Sequence, residues 1–274
     1  MTHGTTILLG AIAGFTIFLG LPVARLRLLS APVQGFLNAL ATGILLFLLW
    51  DVLSAAGGPV EDALDALRDG HPAGFAALAA IFAGGLGAGL LSLAYLGPAL
   101  AGRLHGVRPS EGPGAAAAAP TVFTGRGLAM MIAVGLGLHN FSEGLAIGQA
   151  AVTGAVALAA VLIIGFGLHN VTEGFGIAAP MASDATRPSW GFLLVAGLVG
   201  GGPTLLGTIV GSSVRNQYLF VLFLTLAAGA LIYVINEMFQ VGRRMSSPGG
   251  LAWGVLLGLL AGYGTDLLLD YAGA

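Results

Sequence analysis

The stretches GLGLHNFSEGLAIG, residues 135–148, and GFGLHNVTEGFGIA, residues 165–178, decide how the rest of the chain is read. Set thirty positions apart, they repeat Gly135/Gly165, Gly137/Gly167, Leu138/Leu168, His139/His169, Asn140/Asn170, Glu143/Glu173, Gly144/Gly174 and Ile147/Ile177. Each copy sits inside a long apolar run, where ionisable side chains are costly and usually serve a function. On a helix, residues four apart project from one face, so His139 sits over Glu143 and His169 over Glu173, with Asn140 and Asn170 beside them.

The surrounding composition says what kind of interior this is. Of 274 residues, 57% are hydrophobic and 8% charged, whereas a soluble domain carries about a quarter charged residues. The apolar stretches recur at about 20 residues, the length of a bilayer-crossing helix. Lipid offers the backbone no hydrogen bonds, so the expected fold is all-α, a polytopic membrane protein with the bilayer as its main partner and no nucleic acid. The 46 glycines suit helices that approach closely in membranes. With no Cys, disulfides and thiolate ligands are excluded, and a metal would have to use His, carboxylate, amide or Met.

Eight apolar windows follow, at about residues 5–24, 33–55, 73–100, 127–150, 154–180, 190–211, 218–240 and 250–271. The first lacks a basic leader and a small-residue cleavage site, so it reads as an uncleaved helix. An acidic segment with Glu61, Asp62, Asp65 and Asp69 follows the second and reads as a solvated turn or short interfacial helix. Residues 101–126 pass through GPGAAAAAP and read as a flexible cytoplasmic loop between helices three and four of a single transmembrane domain, residues 1–274. Eight of the ten arginines fall on alternate connections: Arg25 and Arg27; Arg103, Arg108 and Arg126; Arg187; Arg243 and Arg244. The positive-inside rule then makes those connections cytoplasmic and puts both termini outside. The short connection between spans four and five makes them antiparallel neighbours, giving inverted-repeat character.

Two imidazoles, two carboxylates and two amides therefore converge at mid-membrane, an expensive arrangement without a cation. Imidazole with carboxylate suits Zn, Fe, Mn, Co or Ni. One such His and Glu alone could equally be a satisfied interhelical pair, but duplication on antiparallel helices is a transporter signature. The rival readings are a membrane-embedded metalloenzyme and a metal sensor without net transport. Neither HExxH nor Glu-x-x-His occurs, so an enzyme is not expected. Asp51, near the outer end of span two, reads either as a cation-gathering residue at the pore mouth or as an interfacial carboxylate. Glu237, near the inner end of span seven, reads either as an exit position or as a salt bridge to Arg243 or Arg244.

HNFSEG and HNVTEG resemble the paired HNxPEG motifs of the fourth and fifth helices in the ZIP (Zrt/Irt-like) divalent metal transporters, particularly the bacterial ZupT and GufA-like branch. The eight-helix plan, the outside termini, the variable loop after helix three and the phrase ALIYVINEMF, residues 230–239, extend the resemblance over nearly the whole chain. It implies a metal site made by His139, Asn140, Glu143, His169, Asn170 and Glu173, often holding two adjacent metals that the glutamates bridge. It also implies an elevator-like displacement of one helix bundle against another. The ion, Zn or one of Fe, Mn, Co and Cd, would be substrate rather than cofactor, taken up through the cytoplasmic (inner) membrane by alternating access, with a homodimer as one assembly to consider. Two departures stand out. Ser142 and Thr172 occupy the Pro positions, with hydroxyls that can bond the preceding turn. In VGGGPTLLG, residues 199–207, Gly202 precedes Pro203 where helix six usually supplies a Glu, which takes one carboxylate from the second metal position.

Overall fold

The computed structural model describes residues 3–26, 30–70, 74–105, 124–152, 156–184, 186–213 and 216–271, and among these every regular element is helical. In order they are α1 (His3–Phe15), α2 (Ile17–Gly20), a 3₁₀ turn (Leu21–Arg25), α3 (Ala31–Arg68), α4 (Phe75–His105), α5 (Gly125–Val152), α6 (Val156–Ala178), a second 3₁₀ turn (Ala179–Ser183), α7 (Trp190–Gly211), α8 (Gln217–Met245) and α9 (Pro248–Tyr271). Seven described stretches are long and apolar enough to cross a membrane; α6, with 23 residues, also has the length of a span. Leu198, Leu206, Trp253, Leu256 and Leu260 point outward and are exposed, a surface that a lipid solvent accepts.

Two elements differ from the expected pattern. The first span is broken: α1 ends at Phe15, the Thr16 hydroxyl donates to the Ala13 carbonyl at 2.6 Å, and the chain resumes as α2. Back-bonding of this kind bends helices. The second span does not stop near residue 55. As α3 it runs 38 residues, about 57 Å at 1.5 Å per residue, and carries the acidic segment as helix rather than turn. Glu61, Asp62 and Asp65 are exposed there, and Arg68 pairs with Asp65 one turn back at 2.8 Å. Of the 101–126 connection, α4 takes the first residues and α5 the last; the remainder, together with Arg27, His71, Arg108 and Arg215, lies outside the described residues.

The helices sort into two bundles. In one, α7 packs along α5 and against α1, while α6 packs on α5, α1 and α2; in the other, α3 packs on α8 and α9, and α4 on α8. The bundles meet chiefly where α5 faces α8 and α3 faces α6. Glycine permits the tightest of these approaches: a Cβ on Gly144 would fall on the Thr204 carbonyl, and one on Gly207 on the Phe141 carbonyl. Ile17, Leu136, Ile177, Leu231 and Met238 are fully buried around this centre. Arginines from different connections gather at one end. Arg25 donates to the Pro188 carbonyl and lies 4.8 Å from the Trp190 ring centre. Arg126 donates to the Thr186 hydroxyl at 2.9 Å and the Arg187 carbonyl at 3.0 Å.

Candidate functional site

His139, Asn140 and Glu143 lie on α5, and His169, Asn170 and Glu173 on α6; all six are buried. His139 Nε2 stands 3.3 Å from Glu143 Oε1 on its own helix and 3.9 Å from Glu173 Oε1 across the helix pair. Asn140 Nδ2 donates to Glu173 Oε2 at 2.8 Å. Four of the six residues are thus in direct reach of one another. His169 lies within electrostatic range of His139, so the second imidazole belongs to the same neighbourhood.

The asparagines are held by groups that sequence patterns do not name. Asn140 Nδ2 also donates to the Gly200 carbonyl of α7 at 3.0 Å, and Asn170 Nδ2 to the Ala13 carbonyl of α1 at 2.9 Å. Anchoring both amide nitrogens on backbone oxygens leaves Oδ1 of each asparagine as an unspent acceptor. The carbonyl that holds Asn170 is the one bonded by Thr16 at the break in the first span, so the break and the site share an atom. The only sequence signals were Thr16 itself and the run of glycines before Pro203. The hydroxyls that replace the motif prolines behave as expected: Ser142 donates to the His139 carbonyl at 2.6 Å, and Thr172 to the His169 carbonyl at 2.7 Å.

The atoms left without a hydrogen bond define the chemistry. Both nitrogens of His139 and His169, both oxygens of Glu143, Oε1 of Glu173 and Oδ1 of Asn140 and Asn170 are buried without a hydrogen-bond partner. Nine such atoms on six residues is a concentration that ordinary proteins avoid over a hundred residues, and an ion is a standard resolution. Among the described residues, no three His, Asp or Glu are already closed to a metal's dimensions. Bonds to a metal of about 2.0–2.2 Å would require the side chains to draw inward.

Residues 109–259 match the family described as ZIP Zinc transporter, a stretch that contains both motifs and more than half of the chain. The chain belongs to the ZIP zinc transporter family. It is accordingly a multi-pass membrane protein of a family that transports divalent metals and is not made of enzymes, with the metal as substrate. No curated protein matches the chain.

Three further positions follow from the geometry of this ZIP chain. Asp51 of α3, in the opposite bundle, is exposed and lies within electrostatic range of His139 and Glu143. Glu237 of α8 is half-buried, accepts a hydrogen bond from Gln240 at 3.3 Å and lies within electrostatic range of Arg244; among the described residues no hydrogen bond or ion pair joins it to the six. Gly202 lies on the outward stripe of α7 with Leu198, Leu206 and Ile209, and a Cβ there meets nothing within 4 Å. A side chain at 202 would face away from Asn140, whereas the Gly200 carbonyl faces toward it.

Proposed function

We propose that this ZIP chain takes up a divalent transition-metal ion, Zn(II) or another of Fe, Mn, Co and Cd, into the cytoplasm by alternating access, with His139, Asn140, Glu143, His169, Asn170 and Glu173 as the binding site on the fourth and fifth of eight spans. The observation that carries this reading is the set of nine buried nitrogen and oxygen atoms on the duplicated residues that have no hydrogen-bond partner. Mixed imidazole, carboxylate and amide donors suit these ions better than Ca or Mg, which prefer oxygen alone. The reading puts both termini outside and the arginine-rich end in the cytoplasm of a cell with this protein in its inner membrane. Asp51 then stands on the outer approach and Glu237 on the inner exit.

Alternating access is supported by how the bundles are tied. The long-range hydrogen bonds of Arg25 and Arg126 to the connection before α7, and of Asn140 and Asn170 to α7 and α1, stay in the bundle that holds the site, and that of Asn38 to the Met238 carbonyl at 2.8 Å stays in the other. At the seam, Gly135 faces Val234, Gly176 faces Met238, and the tilted rings of Phe141 and Phe223 lie with their centres 5.0 Å apart. Those apolar contacts can slide without breaking a directional bond. The test is uptake of labelled Zn, Mn, Co, Fe and Cd into proteoliposomes. Saturable accumulation of at least one ion, uncontested by excess Mg or Ca, is expected; tight binding in detergent without accumulation in vesicles would make the protein a metal sensor instead.

A further inference from the structure

Away from the metal site, α8 and α9 are consecutive in the chain yet scarcely touch, because they diverge from the turn at 246–247. Between them opens a groove of about 740 Å³ lined by Phe239, Arg243, Ser246, Leu251, Val255 and Leu259, among others. Leu251, Val255 and Leu259 repeat every fourth residue along α9, so the apolar floor is about 12 Å long. That is most of the roughly 15 Å hydrocarbon depth of one leaflet.

The mouth has the opposite character. Arg243 is exposed there, in the last turn of α8. The first turn of α9 starts at the same place, with Ser247 capping the Gly250 N–H at 3.2 Å, so the positive end of a 24-residue helix dipole joins the guanidinium. The Ser246 hydroxyl is buried at the mouth without a hydrogen-bond partner. An occupant must therefore be apolar for about one leaflet depth and anionic at the end level with the arginines. A bare anion would use only the mouth, and an apolar helix would leave Arg243 facing hydrocarbon.

We propose that this groove holds an anionic phospholipid of the leaflet on the arginine side, its headgroup phosphate on Arg243 and one acyl chain along Leu251, Val255 and Leu259. Basic pockets between membrane helices recognise such headgroups by the same combination of charge and depth. The full-length protein, delipidated in detergent and examined by native mass spectrometry, is offered phosphatidylglycerol or phosphatidylcholine with identical chains. Phosphatidylglycerol should be retained preferentially. Arg243→Gln, an exposed change that does not threaten folding, should lower its retention about fivefold, the value of roughly 1 kcal/mol for one arginine at an anionic surface. Val255→Trp, which fills the groove, should lower it as well, while Arg187→Gln at the same end of the molecule should not. Equal retention of the two lipids, indifference to Arg243→Gln, or displacement of the lipid by glycerol 3-phosphate alone would each overturn the proposal.

Discussion

Glu173 is where the two copies of the motif meet. One of its oxygens takes the Asn140 amide at 2.8 Å, and the other stands 3.9 Å from His139 without a hydrogen bond. Asn140 thereby does two things: it aims a carboxylate at the site and ties α5 to α7 through the Gly200 carbonyl. Groups that orient metal ligands typically cost 10–100-fold in affinity when removed. Asn140→Ala is accordingly expected to weaken zinc binding by about that factor while the protein remains folded, as isothermal titration beside size-exclusion analysis would register. All six side chains were legible in the sequence because a thirty-residue repeat singles out polar residues against apolar ones. Their anchors were not, because Ala13 and Gly200 contribute backbone oxygens, which carry no side-chain signature.

At the scale of elements, glycine decides which helix faces touch. Gly144 admits the Thr204 carbonyl against α5, whereas Gly202, only a few residues from that contact, has open space around it. Gly144→Ala should therefore force α5 and α7 apart and cost about 1–3 kcal/mol, as overpacked sites do. Gly202→Ala should cost nothing, and relief of glycine's backbone entropy makes it neutral or slightly stabilising. Thermal melting of the two variants in detergent separates these outcomes, and equal destabilisation would refute the assigned faces. Helix positions could be read from hydropathy because each span must bury its backbone within lipid. The break at Thr16 and the extension of α3 to Arg68 escaped that reading for physical reasons: one rests on a single hydroxyl bond to the preceding turn, the other on exposed charges that sustain a helix beyond the bilayer.

For the whole molecule, the division into two bundles matters more than the number of spans. Every site residue belongs to one bundle, and Asp51 and Glu237 to the other, so movement along the seam would change which of the two faces the site. Because the chain has no Cys, thiols can be introduced singly. A Cβ on Gly135 would press against the Val234 side chain across the seam, so Gly135→Cys with Val234→Cys should form a disulfide on mild oxidation. Uptake should stop when it forms and return on reduction; undiminished uptake by the cross-linked protein would rule out sliding at this seam. The arginine pattern made the common end of the connections legible in advance, whereas the partition into bundles depends on packing between distant helices, which no local periodicity records.

The most direct measurement compares zinc binding in detergent with zinc accumulation in proteoliposomes for the wild-type chain and Glu173→Gln, the change that keeps the side chain's volume and removes its charge. A metal carried on the α5–α6 site requires saturable accumulation by the wild type and the loss of both binding and accumulation in the variant, with its elution and melting preserved. Wild-type accumulation by the folded Glu173→Gln protein would contradict the account.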